Sequence, residues 1–146
     1  MSALFEHSPW VEARADERPS SGDRHADLMA VVRGATPEEQ LALIRAHPEL
    51  AGKAAVDGGL TRASAAEQAS AGLDRLTRAE FDRFHALNAA YREKFGFPFI
   101  ICVRLTDKAG ILAAMERRLA NDRDNEIAAA LEQIGEIVRL RLEDGA

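Results

Sequence analysis

Residues 77–96, TRAEFDRFHALNAAYREKFG, set Phe81, Phe84, Leu87, Tyr91 and Phe95 three or four positions apart. That spacing follows the 3.6-residue period of an α-helix and gathers all five side chains on one stripe. The stretch carries its own punctuation. Thr77 and Glu80 form a capping-box pattern at its start, and Gly96 supplies a stop. An amphipathic helix of this length must bury its stripe against other elements, and the rest of the chain offers mainly helices. Ala, Leu, Glu and Arg dominate, and β-branched residues are sparse outside 97–103. The reading is therefore an all-α fold, one compact domain of about seven or eight helices. The 146 residues, 47% of them apolar, are enough for one sizeable core, so residues 1–146 are expected to form a single domain.

The other helix signals follow in order. Asp23 can cap a helix running through Arg33, with Leu28, Val31 and Val32 inward and Gly34 as the stop. Thr36, Pro37 and Glu39 supply the N-cap, N1 and capping-box positions of the next helix, whose apolar face is Leu41 and Ile44. His47-Pro48 ends it, because a residue before proline is pushed out of helical angles. Pro48 can open a short further turn through Lys53. Residues 13–23 and 56–63 read as loops. Ser64 and Glu67 match another capping box, on a helix that stops near Gly72. Two helices close the chain: about 108–120, with Ile111, Leu112, Met115 and Leu119, and about 124–142, with Ile127, Leu131, Ile134 and Val138. FPFIICV, 97–103, is apolar at both parities and hence buried, as either a strand or an irregular segment.

Charge and composition narrow the partners. With 19 basic and 24 acidic residues the net charge is −5, which gives no general attraction to nucleic acid or to an anionic membrane. The longest apolar run, FGFPFIICV, is far short of the roughly 20 residues a membrane span needs. The start of the chain lacks a signal-peptide pattern and its end lacks a peroxisomal address, so a cytoplasmic protein is expected. The single cysteine, Cys102, fits a reducing compartment.

Few residues stand out chemically. The four histidines His7, His25, His47 and His85 form no close metal-binding pattern, so no metal site is expected. His25 and His85 read as surface residues. His47 sits at a helix end just before a rigid proline. It is either a capping or loop residue or a group held there to handle a proton. Glu67 is explained by its capping box alone, yet the helix start at Ser64 also offers N–H groups to an anion or carbonyl oxygen, and Gln68 adds an amide. On the last helix the apolar steps 127, 131, 134 and 138 lead to Arg141, whereas Arg139 points away. A guanidinium on a core face either snorkels off the helix end or awaits a carboxylate. Cys102 reads as a small buried apolar residue, and Trp10 with Pro9 as packing for the N-terminal segment. These residues name no substrate.

Five segments together resemble one family: FEHSPWVEARADERP, LALIRAHPELAGK, LTRASAAEQASAGLD, FHALNAAYREKFGFPFIICV and RRLANDRDNEIAAALEQIGEIVRLRL. In this order, over nearly the whole chain, they are similar to the OHCU decarboxylases, which act on 2-oxo-4-hydroxy-4-carboxy-5-ureidoimidazoline late in urate degradation. The resemblance implies an all-helical, cofactor-free enzyme that releases CO₂ and forms (S)-allantoin, commonly as a homodimer. It carries the catalytic roles onto His47, Glu67 and Arg141. It carries substrate contact onto Pro48, Ser64, Glu67, Gln68, Phe99, Ile100, Ile101, Cys102 and Val103. Arg139, two residues before Arg141, leaves a second position for the arginine. A non-enzymatic helical interaction module is the rival reading, and an exposed apolar stripe would mark it. A metal-dependent hydrolase of a ureido compound is a further one.

Overall fold

A computed structural model describes residues 4–5, 7–47, 50 and 62–145 of the chain. Among these residues seven α-helices follow in order: α1 Trp10–Asp16, α2 Arg24–Gly34, α3 Pro37–Arg45, α4 Arg62–Ser70, α5 Arg78–Phe95, α6 Lys108–Arg118 and α7 Arg123–Glu143. A 3₁₀ turn, Val103–Leu105, precedes α6. No strand forms among the described residues.

Local signals explain most helix starts. Asp23 accepts a hydrogen bond from the Ala26 N–H, and Thr36 and Thr77 each complete a reciprocal capping box with Glu39 and Glu80. Asp107 and Asp122 cap α6 and α7 through the N–H groups of Gly110 and Asn125. Each such cap is worth about 1 kcal/mol because it satisfies a donor that the helix itself cannot. Gly96 ends α5 at φ 82°, a left-handed conformation that only glycine adopts without steric cost. Gly34 behaves differently from expectation. It is the last residue inside α2, and an extended Ala35 ends that helix. The loop expected over 13–23 begins later, since α1 runs to Asp16.

Ser64 does not cap α4. The helix begins at Arg62, two residues earlier, which puts Ser64 inside the first turn. The expected loop 56–63 and the short turn 48–53 fall mainly outside the described residues, apart from Leu50, Arg62 and Ala63.

The α5 stripe lies in the core. Phe84, Leu87, Tyr91 and Phe95 are buried, with Phe81 at the margin. Tyr91 is surrounded by Phe95, Phe97 and Phe99, with ring centroids 4.6, 5.9 and 5.3 Å away. Edge and tilted contacts of this kind add to the burial of each ring. The packed helix pairs include α1 with α2, α2 with α7, α3 with α7 and α5 with α6. Gly135 lies at the α2–α7 contact: a Cβ there would lie 3.1 Å from the Met29 Cε, so the flexible methionine side chain would have to give way. Across the same contact His25, expected at the surface, is half-buried and its Nε2 lies 2.9 Å from the Gly135 carbonyl oxygen. Segment 97–102 is irregular and leads into the 3₁₀ turn, which packs against α4. Leu105 is the one large apolar side chain exposed among the described residues.

Candidate active site

Four parts of the chain meet at one cavity: the C-terminal end of α3, the first two turns of α4, the irregular segment with its 3₁₀ turn, and the last turns of α7. The cavity has a volume of about 40 Å³ and is lined by His47, Ser64, Glu67, Gln68, Arg141 and all of 99–103. Every site residue named from the sequence except Pro48 is in that lining, and Pro48 lies outside the described residues. Leu50, Arg104 and Ile137 complete it.

Glu67 and Arg141 form a bidentate ion pair at the cavity. Arg141 donates from Nε to Glu67 Oε2 at 2.8 Å and from Nη2 to Glu67 Oε1 at 2.6 Å. Two parallel N–H···O bonds match the planar guanidinium to the planar carboxylate. The side chains are only 8% and 13% exposed, so water screens the pair weakly. Arg141 Nη1 also reaches the Leu4 carbonyl oxygen at 3.3 Å, which ties the N-terminal segment to the site. Arg141 thus follows the apolar stripe inward. Arg139 lies outside the cavity lining and pairs with Glu136 at 2.7 Å and Glu143 at 2.8 Å on its own helix.

His47 follows the last turn of α3, and its backbone N–H reaches the Ile44 carbonyl at 3.1 Å. Its Nδ1 lies 3.0 Å from the Leu43 carbonyl oxygen. A carbonyl only accepts, so His47 Nδ1 carries a hydrogen and donates this bond. The imidazole is therefore oriented by backbone. A second, smaller cavity of about 20 Å³ adjoins it, lined by Phe5, His7, Ser8, Ala46, His47, Ser64 and Arg141.

The remaining wall is mostly apolar. Phe99, Ile100, Cys102 and Val103 are buried, and Ile101 is half-buried. Burial pushes the Cys102 thiol above its ordinary range, which favours the unreactive protonated form. Gln133 Oε1 accepts the Cys102 backbone N–H at 2.9 Å, so that amide is already engaged. Arg104 pairs with Asp144 at 2.6 Å, which raises the guanidinium pKa and keeps a cation at the cavity rim. Among the described residues no three His, Cys, Asp or Glu side chains cluster to hold a metal ion. No helix among them is long and apolar enough to cross a membrane.

The sequence-based readings passed over a buried ionic cluster behind this wall. Glu126, with 0% exposure, accepts from Arg118 Nε at 2.9 Å, from Asn121 Nδ2 at 2.8 Å and from the Tyr91 hydroxyl. Burial is the main cause that pushes the Tyr91 hydroxyl well above its ordinary pKa, with the Glu126 hydrogen bond next. A signal was available: stepping back by four from Ile134 through Ala130 lands on Glu126.

Comparison with known proteins decides the family. The sequence model described as OHCU decarboxylase matches residues 1–143. The chain belongs to the OHCU decarboxylase family. It is 43% identical to the 2-oxo-4-hydroxy-4-carboxy-5-ureidoimidazoline decarboxylase of Haloferax volcanii, over 95% of this chain and 82% of that protein. The fold agrees with two solved structures. One, a crystal structure of OHCU decarboxylase in the presence of (S)-allantoin, superposes with a TM-score of 0.73 at 20% identity, covering 97% of this chain and 92% of that one. The other, a crystal structure of (S)-allantoin synthase, gives a TM-score of 0.70 at 31% identity, and this chain spans 46% of its length. The all-helical reading of the OHCU decarboxylase family is thus met in both sequence and fold.

Proposed function

We propose that this chain is a carboxy-lyase that converts 2-oxo-4-hydroxy-4-carboxy-5-ureidoimidazoline to (S)-allantoin and CO₂ in urate degradation. The observation that carries the reading is the convergence of His47, Glu67 and Arg141 on one cavity, from positions 47, 67 and 141 of a chain in the OHCU decarboxylase family.

The chemistry asks for little beyond these side chains. The substrate carboxylate sits on a carbon next to a C=N group, and that unsaturation takes the electron pair when CO₂ leaves. No cofactor is required for this step. His47 Nε2 accepts the hydroxyl proton and returns it to the ureido-bearing carbon, while a ring nitrogen takes a proton from solvent. The hydroxyl-bearing carbon becomes the carbonyl of the product. Positioned acid–base help of this kind is typically worth about 10²–10⁴-fold. Glu67 holds Arg141, and Arg141 faces an anionic or carbonyl group of the substrate. Ser64 and Gln68 meet polar atoms of the ring or ureido group. Pro48 flanks His47. Segment 99–103 forms the apolar wall and offers backbone N–H groups, with that of Cys102 engaged by Gln133. The enzyme acts in the cytoplasm as a homodimer.

The test is direct. Substrate is generated freshly from urate by its upstream enzymes, and optical activity is followed by circular dichroism. Acceleration beyond spontaneous decay is expected for the wild type, with a loss of at least about 100-fold for His47→Asn at an unchanged helical spectrum. A wild-type rate equal to spontaneous decay refutes the decarboxylase. Near-normal turnover by His47→Asn removes His47 from the chemistry.

A further inference from the structure

The wall at 99–103 is tied at two points by side chains outside the cavity lining. From α6, Arg118 donates Nη1–H to the Ile100 carbonyl at 2.7 Å and lies 4.4 Å over the centre of the Phe99 ring. Arg118 is itself held by Glu126, within the cluster that includes Tyr91 and Asn121. From α7, Gln133 accepts the Cys102 N–H. A buried ion pair contributes little net stability, because desolvation offsets the attraction. What this arrangement secures is position.

In an extended segment the N–H and C=O groups of residues i and i+2 point to one edge, and those of i+1 and i+3 to the other. Cys102 is extended, with φ −75° and ψ 96°. The two ties fall on Ile100 and Cys102, two residues apart, and so engage one edge. Ile101, between them, points to the opposite edge, and Val103 opens the 3₁₀ turn, whose first N–H groups have no acceptor within the turn. Among the described residues neither the Ile101 nor the Val103 N–H makes a hydrogen bond, and both residues line the cavity.

We propose that Gln133 is a positioning residue that, with Arg118, fixes the 99–103 wall so that the Ile101 and Val103 amides face the cavity as a pair of donors. This inference rests on the decarboxylase reading. When CO₂ leaves, the electron pair enters the ring C=N group and spreads through the ring nitrogen onto the ring carbonyl oxygen. Fixed amides beside that oxygen bind the transition state more strongly than the substrate. Deleting such a donor outright costs about 10²–10³-fold in kcat. Loosening its support costs less, about tenfold.

Gln133 is the point to test, because removing Arg118 would strand a buried carboxylate and endanger the fold. Gln133→Met keeps the length and removes the acceptor, whereas Gln133→Glu keeps an acceptor oxygen. Steady-state kinetics on freshly made substrate and backbone amide exchange by NMR are measured for both and for the wild type. The expected result for Gln133→Met is a kcat about tenfold lower, KM within about twofold, and lost protection of the Cys102 amide. Gln133→Glu restores both kcat and protection. Adding (S)-allantoin to the wild type shifts the Ile101 and Val103 amide resonances. Wild-type kcat in Gln133→Met overturns the positioning role, as does a loss of activity that Gln133→Glu does not recover. An inactive wild type fails the decarboxylase reading instead, and the protection of Cys102 still reports on the tie.

Discussion

Replacing Arg141 by methionine removes the cation from a pair in which Arg141 is 8% and Glu67 13% exposed. The Glu67 carboxylate then loses two hydrogen bonds, of 2.8 and 2.6 Å, in a site with little water. Stranding one partner of a buried pair costs about 3–5 kcal/mol. The cavity beside Glu67 admits some solvent, which places the expected loss at the lower end, ~3 kcal/mol. For a chain of this length that corresponds to a fall of about 10 °C in Tm. Glu67→Gln keeps the shape and one acceptor oxygen but removes the negative charge beside Arg141. In the double variant Glu67→Gln/Arg141→Met no stranded charge remains, so the two losses do not add. The expected coupling is at least about 2 kcal/mol, within the range seen for directly interacting residues. Urea unfolding followed by circular dichroism at 222 nm measures all four proteins. Losses additive to within about 0.5 kcal/mol would mean that the two groups do not depend on each other, and the reasoning from burial and geometry would fail.

Arg139→Lys retains an exposed partner for Glu136 and Glu143 and is expected to leave turnover unchanged, whereas Arg141→Lys loses the planar fork and lowers turnover at least about tenfold; equal effects in the kinetic assay would refute the assignment of the cavity arginine. Cys102 is buried with a raised thiol pKa, so iodoacetamide at pH 8 is expected to modify it far more slowly than free cysteine, accelerating along the urea unfolding curve; rapid modification of the folded protein would contradict this. The Arg14 guanidinium beside Glu39 lowers that carboxyl from 4.5 to about 2. The unfolded chain takes up a proton there that the folded protein refuses, so the contribution to stability is present above about pH 4.5 and lost as pH falls toward 2. Glu39→Gln, which preserves the capping pattern, is expected to flatten the acid limb of urea stability over that window, and an unchanged slope would refute the linkage.

Where local chemistry decides, the sequence was legible. Thr36 and Thr77 cap through partners three residues away, and both boxes form as expected. Ser64 and Glu67 show the same pattern, yet α4 starts at Arg62 and Glu67 turns to Arg141, 74 residues along the chain. A motif within four residues carries no information about a partner at that distance. The inward course of Arg141 was legible because it continues an apolar stripe. Glu126 lies on the same face, but a carboxylate at 0% exposure needs Arg118, Asn121 and Tyr91 around it, and only packing brings them together. His25 reads as a surface residue because its partner is a backbone carbonyl on another helix, which leaves no trace in composition. Segment 99–103 of the cavity lining rests on family resemblance, since the residues alone offer a possible anion site at His47, Ser64, Glu67, Gln68 and Arg141 and no substrate.

The guanidinium of Arg141 is already engaged along one edge, through Nε and Nη2, by Glu67. On the proposed reading, an incoming carboxylate meets a neutralised pair instead of a bare positive charge, and the attraction fades faster with distance. For a reaction that must let its carboxylate go, a muted grip on the starting material leaves the barrier lower than a tight one would.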